Sequence, residues 1–220
     1  MQSKRTQWTP YLVVGGISLL PSAFAATLFT FDGFSNNENI ADTYGDNATV
    51  NGTGFTVSNG SEFTGTPNID ISWQAAGQTQ FYNGWDGRGS VAQLDQHDAS
   101  WNFATSTGNA VQIISFDLDE WAGGGTMDVD WSITGSSSGL LASGNWTRST
   151  GGRDTISPNV TGASGETLTL TFALNSGTAS YVAVDNLLLD QVSAAAVPEP
   201  STSALIGLGV GAMAMRRRRK

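Results

Sequence analysis

Apolar residues occupy every second position in three segments of the chain, 114–119, 127–133 and 168–174, with mostly Ser, Thr or Asp between them. Successive side chains of a β-strand point to opposite faces, so this period predicts strands that bury one face and leave the other in water. Residues 26–192 contain no amphipathic helical pattern of ten residues. We therefore expect the body of the chain to fold from strands alone.

Clusters of Gly, Asn and Ser separate the strand-like segments and predict tight turns. Many short strands joined by turns, without a fixed repeat, are typical of an antiparallel β-sandwich. The predicted fold class is all-β, with a jelly-roll-like sandwich as the first choice and an immunoglobulin-like sandwich as the second. Further strands are predicted at about 27–31, 48–57, 69–74, 79–82, 91–95, 100–104, 140–146, 154–160 and 180–190.

The body, residues 26–192, has the length of one domain and is strongly acidic. It holds 18 of the 19 acidic residues and, as cations, only Arg88, Arg148 and Arg153, which gives it a net charge of −15. Such a surface repels nucleic acid and attracts cations, so nucleic-acid binding is excluded. The chain has no cysteine, so the body must be held together by its apolar core, with or without a bound metal.

Residues 1–25 have the three parts of a secretory signal peptide. Lys4 and Arg5 form the charged start, residues 11–20 are mostly apolar, and Ala23-Phe24-Ala25 has the small-x-small pattern that precedes cleavage. We expect signal peptidase to cut before Ala26; an uncleaved membrane anchor is the alternative. In both cases the body is exported.

Three features follow one another in segment 198–220: a Pro-Glu-Pro triplet, an apolar run over 204–215 and a basic cluster over 216–220. After a linker at 193–197, they resemble the PEP-CTERM sorting signal of exported proteins of Gram-negative bacteria. The resemblance implies processing by an exosortase in the inner membrane, and work in or near an exopolysaccharide matrix or the outer envelope. The residues that carry it are Pro198, Glu199, Pro200, Arg216, Arg217, Arg218 and Arg219.

The apolar run is short for a membrane span. Its 12 residues would form a helix of about 18 Å, whereas the hydrocarbon core of a bilayer is about 30 Å thick. The segment therefore suits transient contact with the inner membrane better than permanent anchorage, and an ordinary tail anchor is the alternative. The basic end should stay cytoplasmic, which leaves the body on the other side.

Four aspartates lie in a candidate hairpin that joins residues 116–121 and 126–131 through three glycines. Asp117 and Asp119 share one face of their strand, and Asp128 and Asp130 share one face of theirs. Facing carboxylates on paired strands repel each other, and a bound Ca²⁺, which takes oxygen ligands, would remove that cost. A solvated acidic face is the alternative.

A second calcium set comes from a resemblance. Segment 181–187 (Tyr-Val-Ala-Val-Asp-Asn-Leu) is similar to the final strand of galactose-binding-like jelly rolls, which include many carbohydrate-binding modules. The resemblance implies that Asp185 joins ligands near the first strand in holding a structural Ca²⁺. The candidates for that role are Asp32, Asp42, Asp46 and Asn47.

Catalytic patterns are incomplete. A Glu-x-Asp-x-x-Glu strand carries the acid and nucleophile of one group of jelly-roll glycosidases; here Asp117 and Asp119 match its first two positions, but Ala122 stands at the third. Glu120 points to the opposite face, so the pair of carboxylates is missing. His97, the single histidine, lies in a polar segment. Because the chain has one histidine and no cysteine, ordinary zinc sites and Cys-His dyads are excluded. We expect no catalytic activity.

A glycine-rich segment, 82–89, offers a ligand-binding loop. An aromatic ring held beside polar groups can stack on a sugar while those groups bond its hydroxyls. The candidates are Tyr82, Trp85, Asp86 and Arg88; alternatively, Trp85 folds back to cover the end of the sandwich. Trp73 and Trp131 are expected in the core.

The predicted function is that of an exported, surface- or exopolysaccharide-associated protein with an adhesive or structural role and polysaccharide as its partner. A secreted glycan-active enzyme is the first alternative, and it would need converging carboxylates in a cleft, one of them with a raised pKa. A matrix subunit that binds its own copies is the second.

Overall fold

The computed structural model describes residues 26–57, 65–76, 79–84, 89–94, 98–120, 126–149, 152–175 and 182–193. Within these ranges the chain forms strands and turns and no α-helix, and hence no helix long and apolar enough to cross a membrane. The strands are β1 (Ala26–Phe29), β2 (Glu38–Asn39), β3 (Phe55–Val57), β4 (Ile69–Ala76), β5 (Gln80–Tyr82), β6 (Val91–Gln93), β7 (Ala99–Thr105), β8 (Asn109–Glu120), β9 (Met127–Gly135), β10 (Gly139–Arg148), β11 (Gly152–Ile156), β12 (Val160–Thr161), β13 (Leu168–Leu174) and β14 (Val182–Ser193).

The described strands form two antiparallel sheets. A nine-stranded sheet has the order β11-β8-β14-β6-β5-β2, with β1 also beside β14, β3 beside β1 and β12 beside β8. A five-stranded sheet has the order β10-β9-β13-β7-β4. One apolar core contains buried residues from both sheets. The predicted all-β, jelly-roll-like antiparallel sandwich is confirmed.

The alternating segments form strands with one buried face, as predicted. In β13, Leu168, Leu170 and Phe172 are fully buried, while Thr169 and Thr171 between them are partly exposed. The burial of every second side chain supplies the hydrophobic stabilisation that holds the two sheets together.

Two tryptophans lie at the centre of the core. Trp73 and Trp101 are fully buried, with ring centroids 5.0 Å apart in an edge-to-face arrangement. Trp73 Nε1 donates to the carbonyl of Tyr44 at 2.8 Å, and Trp101 Nε1 donates to Thr79 Oγ1 at 3.0 Å. Burial of both indoles therefore leaves no donor unpaired. Trp131 is only half-buried and packs against the edge of the core.

The predicted hairpin between residues 116–121 and 126–131 is wrong. β8 belongs to the nine-stranded sheet, where it pairs with β14, whereas β9 belongs to the five-stranded sheet, where it pairs with β10 and β13. Both strands have a long apolar face, and placing them in opposite sheets buries the two faces against the same core. The three glycines of the predicted turn lie outside the described residues.

The predicted strand 48–57 is correct only for its last three residues, Phe55–Val57. Gly54 has a φ of +73°, and a Cβ on it would lie 2.6 Å from Tyr44 Oη. This left-handed backbone in close contact with a tyrosine interrupts an extended conformation. β2 was not predicted from the sequence.

Glu166 ties the turn before β13 to the turn between β9 and β10. Its Oε1 accepts from the N–H groups of Ser137 and Ser138 at 2.7 and 2.6 Å and from the Ser137 hydroxyl at 2.9 Å. Its Oε2 accepts from the Ala163 N–H at 2.6 Å and the Ser138 hydroxyl at 2.9 Å. The bond from Ala163, followed by those from Ser138 and Ser137, lowers the pKa of Glu166 to about 2 against the effect of burial.

Candidate ligand-binding groove

The nine-stranded sheet has an outer face, which points away from the core. In β8, Phe116 and Leu118 belong to the core, so Asp117 and Asp119 between them lie on the outer face. By the same alternation, Ala183 and Asp185 of β14 lie on the outer face. Ala183 packs there with Val91 and Tyr82 in a small apolar cluster separate from the core.

Strand pairing aligns the outer-face residues of β5, β6, β14, β8 and β11 in two rows. One row contains Gln80, Gln93, Ala183, Asp119 and Arg153. The next row has Tyr82 and Val91 on one side and Asp185, Asp117 and Thr155 on the other. Directly opposite side chains in such a row lie about 5 Å apart, so the ten residues form one surface.

This surface has a buried floor and partly exposed sides, and we call it the outer-face groove. Val91 and Ala183 are fully buried, and Gln93 is 3% exposed. Tyr82 on one side is partly exposed, and on the other side the Arg153 side chain is 22% exposed. Within the described ranges, Oε1 of Gln93 has no hydrogen-bond partner. A buried amide oxygen without a partner is costly, so Gln93 Oε1 is an unsatisfied acceptor in this floor.

A β-bulge in β14 shapes one side of the groove. The pairing of β14 with β8 shifts between Asp185 and Leu188, and Asn186 has a φ of 47°. Asparagine tolerates this left-handed conformation better than most residues. The Asn186 N–H donates to Asp185 Oδ1 at 2.7 Å, and Asn186 Nδ2 donates to Asp117 Oδ2 at 2.7 Å. The bulge therefore orients both carboxylates.

Arg153 is the cation of a buried acidic cluster. Its Nε donates to Asp119 Oδ2 at 2.8 Å, and its terminal nitrogens lie 2.8 Å from Asp185 Oδ2 and 3.7 Å from Asp117 Oδ2. The three aspartates are 0%, 5% and 6% exposed, respectively. Thr155 adds a hydrogen bond to Asp117 Oδ1 at 2.6 Å. One guanidinium thus offsets the repulsion among three carboxylates on neighbouring strands.

Burial raises the pKa of Asp185 to about 7. The Asn186 N–H and the charge of Arg153 act in the opposite direction, and the charges of Asp32 and Asp117 add to the increase. Burial, followed by the charges of Asp32 and Asp185, also raises the pKa of the Tyr44 hydroxyl, which donates to the carbonyl of Gly54 at 2.7 Å. The Asp185 carboxyl is therefore partly protonated near neutral pH, and Asp32 and Asp117 are close enough for their charges to act on it.

The structure separates the residues predicted to bind calcium. Asp32 lies close enough to Asp185 for its charge to raise the Asp185 pKa. Asp46 instead accepts from the N–H of Ile71 in β4 at 2.6 Å, and its raised pKa reflects burial and the charges of Asp70 and Asp42. The Asp32, Asp46 and Asp185 of the resemblance thus belong to two different groups.

The second predicted set is also divided. Asp117 and Asp119 lie in the nine-stranded sheet and are buried, so neither a shared site with β9 nor a solvated face describes them. Asp128 and Asp130 lie in the five-stranded sheet, where Asn145 Nδ2 donates to both, at 2.6 and 2.8 Å. In the described part of the chain, no group of three or more Asp, Glu, His or Cys residues is arranged to hold a metal ion. Calcium binding stays a prediction.

Tyr82 is the predicted ligand-binding residue that the structure describes, and it lies in the outer-face groove. Trp85, Asp86 and Arg88 lie outside the described residues, as do residues 1–25 and 194–220 with the whole sorting signal. The sequence analysis did not single out Gln93, Arg153 or Asn186. The consecutive polar pair Asp185-Asn186 inside an apolar strand breaks the alternation and was a readable signal for the bulge.

The opposite side of the sandwich has a shallow depression of about 300 Å³, lined by Asp130, Trp131, Ser132, Ser143, Gly144, Thr171 and Ala173. Ser132 pairs directly with Ser143 on one side and with Thr171 on the other. The depression is open, and three of its seven lining residues carry hydroxyl groups. It lacks the buried, unpartnered polar atom that marks the outer-face groove.

Residues 196–220 match the PEP-CTERM protein-sorting motif, which confirms the resemblance seen in the sequence. The motif indicates an exported, cell-envelope protein and implies processing by an exosortase. The match begins two residues before the predicted segment 198–220. No curated protein matches the chain.

Several solved structures resemble the body at low similarity. A structure described as an arabinose-bound α-L-arabinofuranosidase has a TM-score of 0.41 at 8% identity; the match covers 76% of this chain and 27% of that one. A family 4 carbohydrate-binding module has a TM-score of 0.33 at 13% identity, with 54% and 91% covered. A family 36 carbohydrate-binding module in complex with calcium and xylotriose has a TM-score of 0.30 at 21% identity, with 48% and 83% covered. This chain thus spans about a quarter of the arabinofuranosidase, and likeness at these TM-scores assigns it no ligand or activity.

Proposed function

We propose that this exported protein binds polysaccharide in the outer-face groove. The observation that carries the proposal is Gln93 Oε1, a buried acceptor without a described partner, on a floor bordered by Tyr82 and Arg153. A sugar ring has apolar C–H faces and a rim of hydroxyl donors. Tyr82 supplies a ring face for the C–H patch, and Gln93 supplies an acceptor for a hydroxyl.

The role we propose is adhesive or structural rather than catalytic, and the sorting motif, which indicates a protein of the cell envelope, supports it. Polysaccharide is the partner that the groove chemistry and the exported location both favour. A surface that binds glycan chains without cleaving them would attach the protein to an exopolysaccharide matrix. Self-association into a matrix remains the alternative for a protein that fails to bind glycans.

One observation favours a second candidate, a glycan-active enzyme. Asp185 has a pKa raised to about 7 and pairs across the strands with Asp117, and a carboxyl with a raised pKa beside a second carboxylate is typical of glycosidases. Against it, both carboxyl groups are about 95% buried and interact with Arg153. A glycosidic oxygen needs open access to its acid, so we favour binding without hydrolysis.

Binding is tested on a glycan array with the purified exported protein, followed by titration calorimetry of the polysaccharides that bind. We expect Tyr82→Ala and Gln93→Met each to weaken binding about tenfold, equivalent to about 1.4 kcal/mol. Matched controls are Ser143→Ala and Thr171→Ala in the depression on the opposite sheet, which should leave affinity unchanged. Loss of binding in the controls but not in the groove variants would contradict the proposed site.

Hydrolysis is tested by incubating each bound polysaccharide with the protein and measuring new reducing ends from pH 4 to pH 8. We expect none. Release of reducing ends that disappears in Asp185→Asn would establish the enzyme instead.

A further inference from the structure

An arginine in a sugar-binding groove ordinarily favours acidic sugars, because a guanidinium binds a carboxylate through two parallel hydrogen bonds. Arg153 is already engaged with Asp119, Asp185 and Asp117, at 2.8, 2.8 and 3.7 Å. The three carboxylates offset the charge of its guanidinium. Its Nε is bonded to Asp119, and its Nη2 makes no hydrogen bond to the described residues but is buried. The described part of the groove therefore offers an anionic ligand no cation without nearby compensating carboxylates.

The described charges of the groove sum to a negative value. Three aspartates surround one arginine, and Asp32 adds its charge near Asp185. Asp32 is exposed, accepts from the N–H of Ser90 at 3.2 Å and lies beside Gly89, at the start of β6. The whole body adds to this potential, since its 18 acidic residues are opposed by three arginines.

We propose that the groove discriminates against anionic glycans and takes polysaccharides without carboxylate or sulfate groups. The inference rests on the proposed function and adds the chemical class of the ligand. A uronic acid placed between Tyr82 and Arg153 would bring its charge close to Asp119 and Asp185 in a poorly hydrated site, where like charges are not screened. A neutral or amino sugar meets no such repulsion, and its donors match Gln93 Oε1 and the carboxylates.

The test compares sugars that differ only in charge. Oligosaccharides of (1→3)-β-glucan, (1→4)-β-glucan and (1→4)-β-galactan are titrated in their neutral form and after oxidation of C6 to the carboxylate, with chitosan oligosaccharide as the cationic member. We expect the neutral form of the best-bound backbone to bind at least tenfold more tightly than its C6 carboxylate at physiological salt. The difference should shrink at high salt.

Two variants assign the discrimination to the groove. Asp185→Asn keeps the side-chain shape and one of its two acceptor oxygens, which face Asn186 and Arg153. Asp32→Asn changes an exposed residue and keeps an acceptor oxygen for the Ser90 N–H. Each variant should reduce the difference in binding affinity between the neutral and the oxidised sugar. Asp130→Asn, on the opposite sheet, removes the same net charge as Asp32→Asn and should leave the difference in affinity unchanged.

Each outcome decides between the two claims. Equal or tighter binding of the C6 carboxylates overturns the discrimination while leaving polysaccharide binding intact. If Asp130→Asn reduces the difference in affinity between neutral and oxidised sugar as much as Asp32→Asn does, the overall charge of the body causes that difference. This outcome also overturns the assignment to the groove. Binding of no member of the panel overturns the proposed function itself and this inference with it. Tighter binding of the chitosan oligosaccharide than of the neutral sugars supports the inference.

Discussion

Replacing Arg153 by Met tests whether one guanidinium holds the acidic cluster together. Arg153 lies 2.8 Å from both Asp119 and Asp185 and 3.7 Å from Asp117, and the three aspartates are at most 6% exposed. Removing one partner of a buried ion pair costs about 3–5 kcal/mol, because the remaining charge has no compensation. Met keeps most of the packing volume, so the loss measures the charge.

Protonation of Asp185 limits this loss at low pH. Its pKa rises from 3.8 in the unfolded chain to about 7 in the folded protein, so between these values the folded state binds the extra proton. The contribution of this proton to stability is full below pH 3.8 and is lost as the pH rises through 7. Since the charge of Arg153 lowers the pKa of Asp185, its removal keeps this carboxyl protonated to a higher pH. We expect a loss of about 3 kcal/mol at pH 8 and a smaller loss at pH 5.

The assay is thermal unfolding followed by circular dichroism at pH 5 and pH 8. A domain of this size loses about 2–4 °C in Tm per kcal/mol, so Arg153→Met should lower Tm by roughly 6–12 °C at pH 8. Arg148→Met is the matched control, because Arg148 pairs with Asp154 at a site where their side chains are 28% and 48% exposed. Such surface pairs contribute about 0–1 kcal/mol. Equal losses in the two variants, or a larger Arg153→Met loss at pH 5 than at pH 8, would refute the reasoning.

Three further predictions concern the turn anchor, calcium and sorting. Glu166→Gln should cost about 2–3 kcal/mol in urea unfolding, because its amide nitrogen cannot accept and at least two of the five hydrogen bonds to the carboxylate are lost. Since the pKa of Glu166 is lowered from 4.5 to about 2, the stabilisation is present above pH 4.5 and disappears as the pH falls through 2. A melt with Ca²⁺ and one with EDTA should differ by several degrees if the predicted structural calcium is bound, and coinciding melts would contradict it. Deletion of Arg216–Lys220 should impair exosortase processing; normal maturation of that variant would argue against a sorting role for the basic cluster.

The strands and the core were predictable because their signal is local. The alternation over 168–174 predicts β13 without knowledge of its neighbours, and the half-buried face follows from the same pattern. The pairing of strands is not local. β8 and β9 are adjacent in sequence and look like a hairpin, yet their neighbours are set by distant strands such as β14 and β13.

The candidate site was predictable only in part for the same reason. Asp117 and Asp119 were recognised as carboxylates that need a cation, and the structure supplies one, but it is Arg153, which lies 34 residues from Asp119. Periodicity in one segment contains no information about a partner on another strand. Gln93 carries no sequence signal, since a glutamine in a short apolar segment becomes notable only when its amide oxygen is buried without a partner.

The position of β14 has a mechanical consequence. The strand ends at Ser193, close before the sorting motif that begins at residue 196, and Asp190 near its end pairs with Ala26, so both ends of the body lie at one pole. Asp185 precedes Ser193 by eight residues, or about 25 Å of extended strand. A body tethered through its C-terminus would hold the groove that far from the attachment point. Tension on a captured glycan would then run along β14 and load its hydrogen bonds to β8 in shear, all together, rather than opening them one after another.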